Sequence, residues 1–108
     1  MTVSELSKHN FLTALCMPDG DRVVRGGYIG DLLSWVMGRA NADDAWITIM
    51  SNSNTVAVAS LSDVSCVILA ESVTLNDADL ITAQKNGINI FSTPLTSFEA
   101  AAKIKELI

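Results

Sequence analysis

The sequence has 108 residues, a length that fits a single domain over 1–108. Hydrophobic residues make up 49% of it and charged residues 18%, yet no apolar run approaches the ~20 residues that cross a bilayer. The net charge is −5 and the seven Lys and Arg are scattered, which disfavours nucleic-acid binding.

In the N-terminal third, capping-box spacing predicts a short helix over residues 3–9. Two short strands are predicted over residues 11–16 (FLTALC) and 22–25 (RVVR). The Pro, Asp and Gly of 17–21 predict a turn between them. The two strands are candidates for a hairpin, and we therefore expect a small N-terminal β piece.

The remaining two-thirds of the chain alternates helical and extended patterns. Apolar residues at helical spacing predict a helix over 32–40, and β-branched apolar runs predict strands over 45–50 and 66–70. The other predicted elements are helices over 55–61, 77–85 and from 95 to the end, and a strand over 88–92. The expected helix caps are Asp31, Asn54, Asn76 and Thr93 at the N-termini and Gly87 at one C-terminus. This alternation predicts an α/β fold, a small three-layer sandwich with helices covering a mainly parallel sheet.

Glycine is concentrated at the start of this region, in RGGYIG (25–30). The dinucleotide fingerprint would need glycine where Arg25 stands, and no Lys follows to complete a phosphate loop. We therefore interpret Gly26 and Gly27 as a tight turn, with positive φ or close backbone approach. The alternative is an anion site beside Arg25 at the N-terminus of the next helix, where Asp31 would oppose an anion.

Small polar residues follow the predicted parallel strands, at the edge of the sheet where ligands of such sheets usually bind. Helix capping explains Asn54, because one helix needs one N-cap residue. Ser51, Asn52 and Ser53 exceed that need. They are the candidate residues for binding a small ligand such as a nucleotide, although capping is the simpler interpretation of the loop.

The sequence contains no recognisable catalytic, metal-binding or cofactor motif. His9 has no carboxylate or cysteine at ligand spacing, and no G-x-S-x-G elbow accompanies it. Cys16 and Cys66 lie inside apolar runs, which indicates free thiols in a reducing cytosol, with a disulfide as the alternative. No signal-peptide core is present near the N-terminus, so we expect a cytoplasmic protein. Because the catalytic, metal-binding and cofactor motifs are missing, we also expect that it is not an enzyme and needs no cofactor.

The apolar composition is high for a short chain, and it predicts self-association. Monomers rarely expose large apolar patches, so a second subunit is the expected cover. The simplest such assembly is a two-fold homodimer. Trp35 lies partly outside the apolar stripe of its predicted helix, which makes it the candidate interface residue.

Two stretches of the sequence match a known pattern: GGYIGDLLSWVMGRANADDAWITIMSNSNTVAVASLSDVSCVILAE (26–71) and INIFSTPLTSFEAAAKI (88–104). They resemble the DRTGG domain family. The resemblance implies an α/β domain of the kind found between CBS domains of regulated pyrophosphatases, with a fold similar to the non-catalytic N-terminal domain of HPr kinase. Only the two glycines of the name-giving motif are present, because Val23, Val24 and Arg25 precede them.

The residues and the resemblance together predict a non-enzymatic regulatory or interaction module that acts as a homodimer. The alternative is a nucleotide sensor that binds its ligand at the carboxyl ends of the parallel strands. An enzyme of kinase type would need a phosphate loop and metal ligands.

Overall fold

The computed structural model describes residues 1–108 as five strands and five helices. In chain order they are α1 (Val3–Leu6), β1 (Thr13–Cys16), β2 (Gly26–Ile29), α2 (Leu33–Arg39), β3 (Asp44–Thr48), α3 (Ser53–Ser62), β4 (Cys66–Leu69), α4 (Asp77–Lys85), β5 (Ile90–Ser92) and α5 (Ser97–Leu107). From α2 onward the order and type of every element match the sequence prediction.

The five strands form one sheet in the order β1-β5-β4-β3-β2. Strands β2 to β5 are parallel to their neighbours, and β1 pairs with β5 in the antiparallel direction. The mainly parallel sheet is therefore confirmed. Because β2 to β5 follow one another in space as in sequence, successive crossovers pass over the same face of the sheet.

Two separate apolar clusters, one on each face of the sheet, confirm the three-layer sandwich. The helical members of one cluster are Val3 and Leu6 of α1 and Ala100 and Ile104 of α5. The helical members of the other include Val36 of α2, Val56 of α3 and Ala83 of α4. In β3, Ala45 and Ile47 face the first cluster while Trp46 faces the second. Strands covered on both faces are apolar throughout, which is why β3 and β4 were recognisable in the sequence.

The hairpin predicted in the N-terminal third is wrong. β1 and β2 occupy opposite edges of the sheet. The second strand is Gly26–Ile29, not 22–25, and Val23 makes only an isolated bridge to Thr2. Residues 17–25 connect β1 at one edge of the sheet to β2 at the other. Val23 and Val24 therefore have no neighbouring strand with which to form a hairpin.

The glycines at 26 and 27 do not form the predicted tight turn. Both lie in β2, opposite Asp44 and Ala45 of β3, and only Gly87 among the glycines has a positive φ. At position 26 the space for a side chain is taken by a neighbouring carboxylate, not by the close backbone that was predicted. A Cβ atom there would lie 2.8 Å from Oδ1 of Asp44.

The helix caps are confirmed in part. Asn76 caps α4, and Gly87, with a φ of 73°, follows its C-cap. The capping box predicted at the start of α1 is also present, although that helix ends at Leu6. The other N-cap predictions are wrong: the N-caps are Leu32 instead of Asp31, Asn52 instead of Asn54 and Thr96 instead of Thr93. Each error is one to three residues, and for Asp31 the reason is a contact outside the helix, since its side chain accepts hydrogen bonds from Thr48 and Ile49.

Candidate functional site

The candidate ligand residues from the sequence lie at opposite ends of the sheet. Arg25, Gly26 and Gly27 are at the amino end of β2, whereas Ser51–Ser53 lies beyond the carboxyl end of the adjacent β3. β2 and β3 run parallel, so the length of β3, ~13 Å at ~3.3 Å per residue, separates the two groups. The structure therefore presents two locations and not one combined site.

At the carboxyl end of β3, the polar loop serves the following helix. Asn52 is the N-cap of α3, and its Oδ1 accepts a hydrogen bond from the backbone N–H of Asn54 at 2.9 Å. Ser53 is the first residue of the helix. The two grooves of the molecule lie elsewhere. The order of the parallel strands also never reverses, and a reversal is what usually opens a ligand crevice at such strand ends.

Hydrogen bonds within the chain close the other strand ends. Oδ1 of Asp31, after β2, accepts from Thr48 Oγ1 at 2.8 Å and from the backbone N–H of Ile49 at 3.0 Å. This contact explains why Asp31 does not cap α2. After β4, the backbone N–H groups of Glu71 and Ser72 donate to carbonyl oxygens of the segment after β5, each at 2.8 Å. Both residues have positive φ, 56° and 61°, so the central strand ends in a tightly constrained turn.

The better-formed cavity lies at the other location, between β2 and α5. This β2–α5 groove has a volume of about 530 Å³, within the ~300–1,000 Å³ range of small-ligand sites. Its wall on the strand side is β2 itself, together with Arg25. Phe98 and Lys105 contribute from α5, and most of the other lining side chains are apolar. The groove thus combines an apolar floor with two cationic side chains.

A network of ion pairs holds the amino end of β2 in place. Nη2 of Arg22 lies 3.1 Å from Oδ1 of Asp43 and 2.8 Å from Oδ1 of Asp63. Burial lowers the pKa of Arg22, but hydrogen bonds to Asp63 and Asp43 outweigh this effect and raise its pKa overall. Arg25 is different: it is 71% exposed at its side chain, and its single ionic contact is Nε to Asp43 Oδ2 at 3.4 Å. Arg25 is therefore the cation of this network that is open to a partner.

The two cysteines are free, and neither is activated as a nucleophile. Burial raises the pKa of the Cys16 thiol, whose Sγ donates to the Ile88 carbonyl oxygen at 3.2 Å. Cys16 lines a second, more open groove of about 560 Å³ between β1 and α4. Complete burial raises the pKa of Cys66 to about 12. Reactive cysteines have lowered pKa values, so these two thiols have the properties of structural cysteines.

No three His, Cys, Asp or Glu side chains lie close enough together to hold a metal ion. The longest helix, α5, has 11 residues, and none of the helices could traverse a bilayer. Six buried polar residues, Asp44, Thr48, Thr55, Ser65, Asn89 and Thr93, take part in hydrogen bonds within the chain. The one buried side-chain oxygen without a partner is Oγ of Ser62, at the end of α3.

Trp35, the candidate interface residue, is 54% exposed on α2, and the Arg39 guanidinium lies 3.9 Å over its ring. Leu32 and Met37 are exposed beside it in sequence. The sequence reasoning missed Phe98, which is 81% exposed on α5. Helical periodicity could have found it, since Ala100 and Ile104 define the core face of that helix and Phe98 lies off that face.

No family model matches the sequence, and no curated protein matches it. The chain is similar to a solved structure of the CBS and DRTGG domains of the regulatory region of Clostridium perfringens pyrophosphatase, complexed with the activator diadenosine tetraphosphate. The TM-score is 0.69 at 18% identity, over 84% of this chain and 40% of that one. The chain thus spans well under half of the structure that it matches. The similarity confirms the expected DRTGG-like α/β fold.

Proposed function

We propose that this chain is a non-catalytic regulatory module that acts as a homodimer. One observation carries the proposal: large apolar side chains are exposed on β2 and on the helices beside it, namely Ile29, Leu32, Trp35, Met37 and Phe98. Monomeric proteins rarely expose apolar surface in such concentration. A second subunit would remove this surface from water.

The use of polar side chains supports a role without catalysis. Asp44 and Asn89 are nearly buried and hydrogen-bonded to the backbone of their own chain. Both cysteine thiols have raised pKa values. Catalytic groups need side chains that reach a substrate in a pocket and pKa values suited to proton transfer. The regulatory region in which the similar fold occurs adds support for a regulatory role.

Sedimentation equilibrium at micromolar concentration tests the homodimer. We expect twice the mass of the chain, and a dissociation constant raised ~30-fold or more by Trp35→Ala, the effect typical of an interface hot spot. Ile81→Ala, on α4 and 57% exposed, is the control and should leave the dissociation constant unchanged. A wild-type chain that is monomeric at this concentration contradicts the proposal.

A nucleotide sensor is the second candidate function. Arg25 and Lys105 border the β2–α5 groove, and guanidinium and ammonium groups are suited to phosphates. The similar solved structure is a complex with diadenosine tetraphosphate. A thermal-shift series with that compound and ATP tests this function, because a ligand at 100 times its dissociation constant stabilises by ~2.7 kcal/mol.

Matched variants locate such a site. If the groove binds the nucleotide, Arg25→Ala reduces the shift in melting temperature and Ser53→Ala does not. If the nucleotide binds at the carboxyl ends of the strands, as the sequence suggested, the two variants exchange roles. The absence of any shift at millimolar nucleotide contradicts this second function.

A further inference from the structure

Strand β2 is an edge of the sheet, and nothing in the chain pairs with its outer side. Natural proteins protect such edges with charged residues, proline, a bulge or a very short strand, because open backbone groups recruit other strands, and of these β2 has only its length of four residues. The other edge strand, β1, has an irregular register between Ala14 and Cys16. Residues 26–29 of β2, GGYI, contain no charge or proline, and their register with β3 is regular. The β2 edge is therefore open to pairing.

We infer that β2 pairs with β2 of a second copy of this chain, in the antiparallel direction across a two-fold axis. The two sheets then join into one, with α2 against α2 on one face and α5 against α5 on the other. Each chain offers the same surface, as a two-fold interface requires. The inference rests on the proposed homodimer and adds the surface by which it forms.

The distribution of exposed apolar side chains favours this surface. Six of the ten exposed large hydrophobic residues lie on β2, on α2 or α5, or at a cap of these helices: Ile29, Leu32, Trp35, Met37, Phe98 and Ile108. Trp35 and Met37 flank the core-facing Val36 on opposite sides of α2, so one of the two faces away from the β2 edge. At on the order of 100 Å² each, the remaining five offer roughly 500 Å² per chain, against the ~800 Å² that each partner of a standard interface buries. The backbone of β2 and the stems of nearby side chains would have to bury the remaining ~300 Å².

Charges at the two ends of β2 are complementary in this arrangement. Arg25 precedes the strand, and Asp31 follows it by two residues. Antiparallel pairing brings Arg25 of one copy beside Asp31 of the other, twice per dimer. Arg25 has only one ionic contact within its own chain, and Oδ2 of Asp31 accepts no hydrogen bond there. This self-complementarity selects a second copy as the occupant of the edge.

Sedimentation equilibrium of the intact chain tests the surface with a matched pair of variants. Ile29→Lys, at a side chain that is 49% exposed on β2, introduces like charges near the two-fold axis. We expect it to raise the dissociation constant at least 100-fold. Ile81→Lys, of similar exposure on α4, should leave the constant within about two-fold of wild type, since α4 lies beside the opposite edge of the sheet.

Two further measurements keep the test decisive. If circular dichroism shows that Ile29→Lys does not fold, Phe98→Lys on α5 replaces it, with the same expected loss of dimer. Independently, β2 amides of the wild-type chain should exchange with solvent more slowly above the dissociation constant than below it. A wild-type dimer that both lysine variants leave intact overturns this inference and leaves the proposed homodimer standing. A monomeric wild-type chain overturns both.

Discussion

Asn89 offers the sharpest test of how the amino end of the sheet is held together. Its side chain is 1% exposed at the start of the segment that leads into β5. Nδ2 donates to the carbonyl oxygens of Asp19 and Ser65, each at 2.9 Å, and Oδ1 accepts from the backbone N–H of Asp19 at 2.9 Å. One amide therefore joins β4 to the crossing segment that places Arg22 and Arg25.

Replacing Asn89 with alanine removes all three hydrogen bonds. The Ser65 carbonyl loses the amide as a donor in a buried position, at a cost of ~1–3 kcal/mol, and each of the other two bonds contributes ~1 kcal/mol. These contributions add to ~3–5 kcal/mol, and at the lower end we expect Asn89→Ala to lower the free energy of unfolding by about 3 kcal/mol, a large share of the ~5–15 kcal/mol of a typical domain.

Urea unfolding at pH 7 and a fixed protein concentration measures this loss. With an m-value of ~2 kcal/mol/M, the midpoint should fall by ~1.5 M urea at unchanged m. Asn86→Ala is the control, because Asn86 is exposed and its side chain makes no hydrogen bond; its cost should stay below ~0.5 kcal/mol. If the two variants lose the same stability, or Asn89→Ala loses less than ~1 kcal/mol, the reasoning about this amide is refuted.

Three further predictions concern single positions. The pKa of Cys66 is raised from 9.0 to about 12, so the free energy of unfolding should fall by up to ~1.4 kcal/mol per pH unit between these values; Cys66→Ala should lose that part of the slope in pH-dependent urea titrations. Gly26→Ala should destabilise by ~1–2 kcal/mol because its Cβ meets the carboxylate of Asp44, whereas Gly38→Ala, which meets nothing within 4 Å in α2, should stabilise by ~0.5–1 kcal/mol; a stabilised Gly26→Ala together with a destabilised Gly38→Ala in calorimetry would contradict both. Asn52→Ala should cost ~1 kcal/mol in urea unfolding and leave nucleotide-dependent thermal shifts unchanged if capping is its whole role.

The candidate site was predictable only in part. The glycine-rich stretch RGGYIG pointed to Arg25, Gly26 and Gly27, and these residues do line the β2–α5 groove. The sequence could not reveal the other wall, because α5 follows β2 by nearly 70 residues and reaches it only after the chain has crossed the sheet. It also could not separate this region from Ser51–Ser53, since the distance between them depends on the direction and register of β3.

The sequence by itself determined the α/β alternation from α2 to α5. Neighbouring residues determine the apolar runs of β3 and β4, the Asn76 cap and the positive φ of Gly87. Such features can therefore be predicted from one sequence. Only the tertiary structure decided which strand β1 joins and that β2 is left with an open edge. Those outcomes depend on long-range contacts, such as the link of Asn89 to Asp19 across 70 residues, whose formation no local pattern encodes.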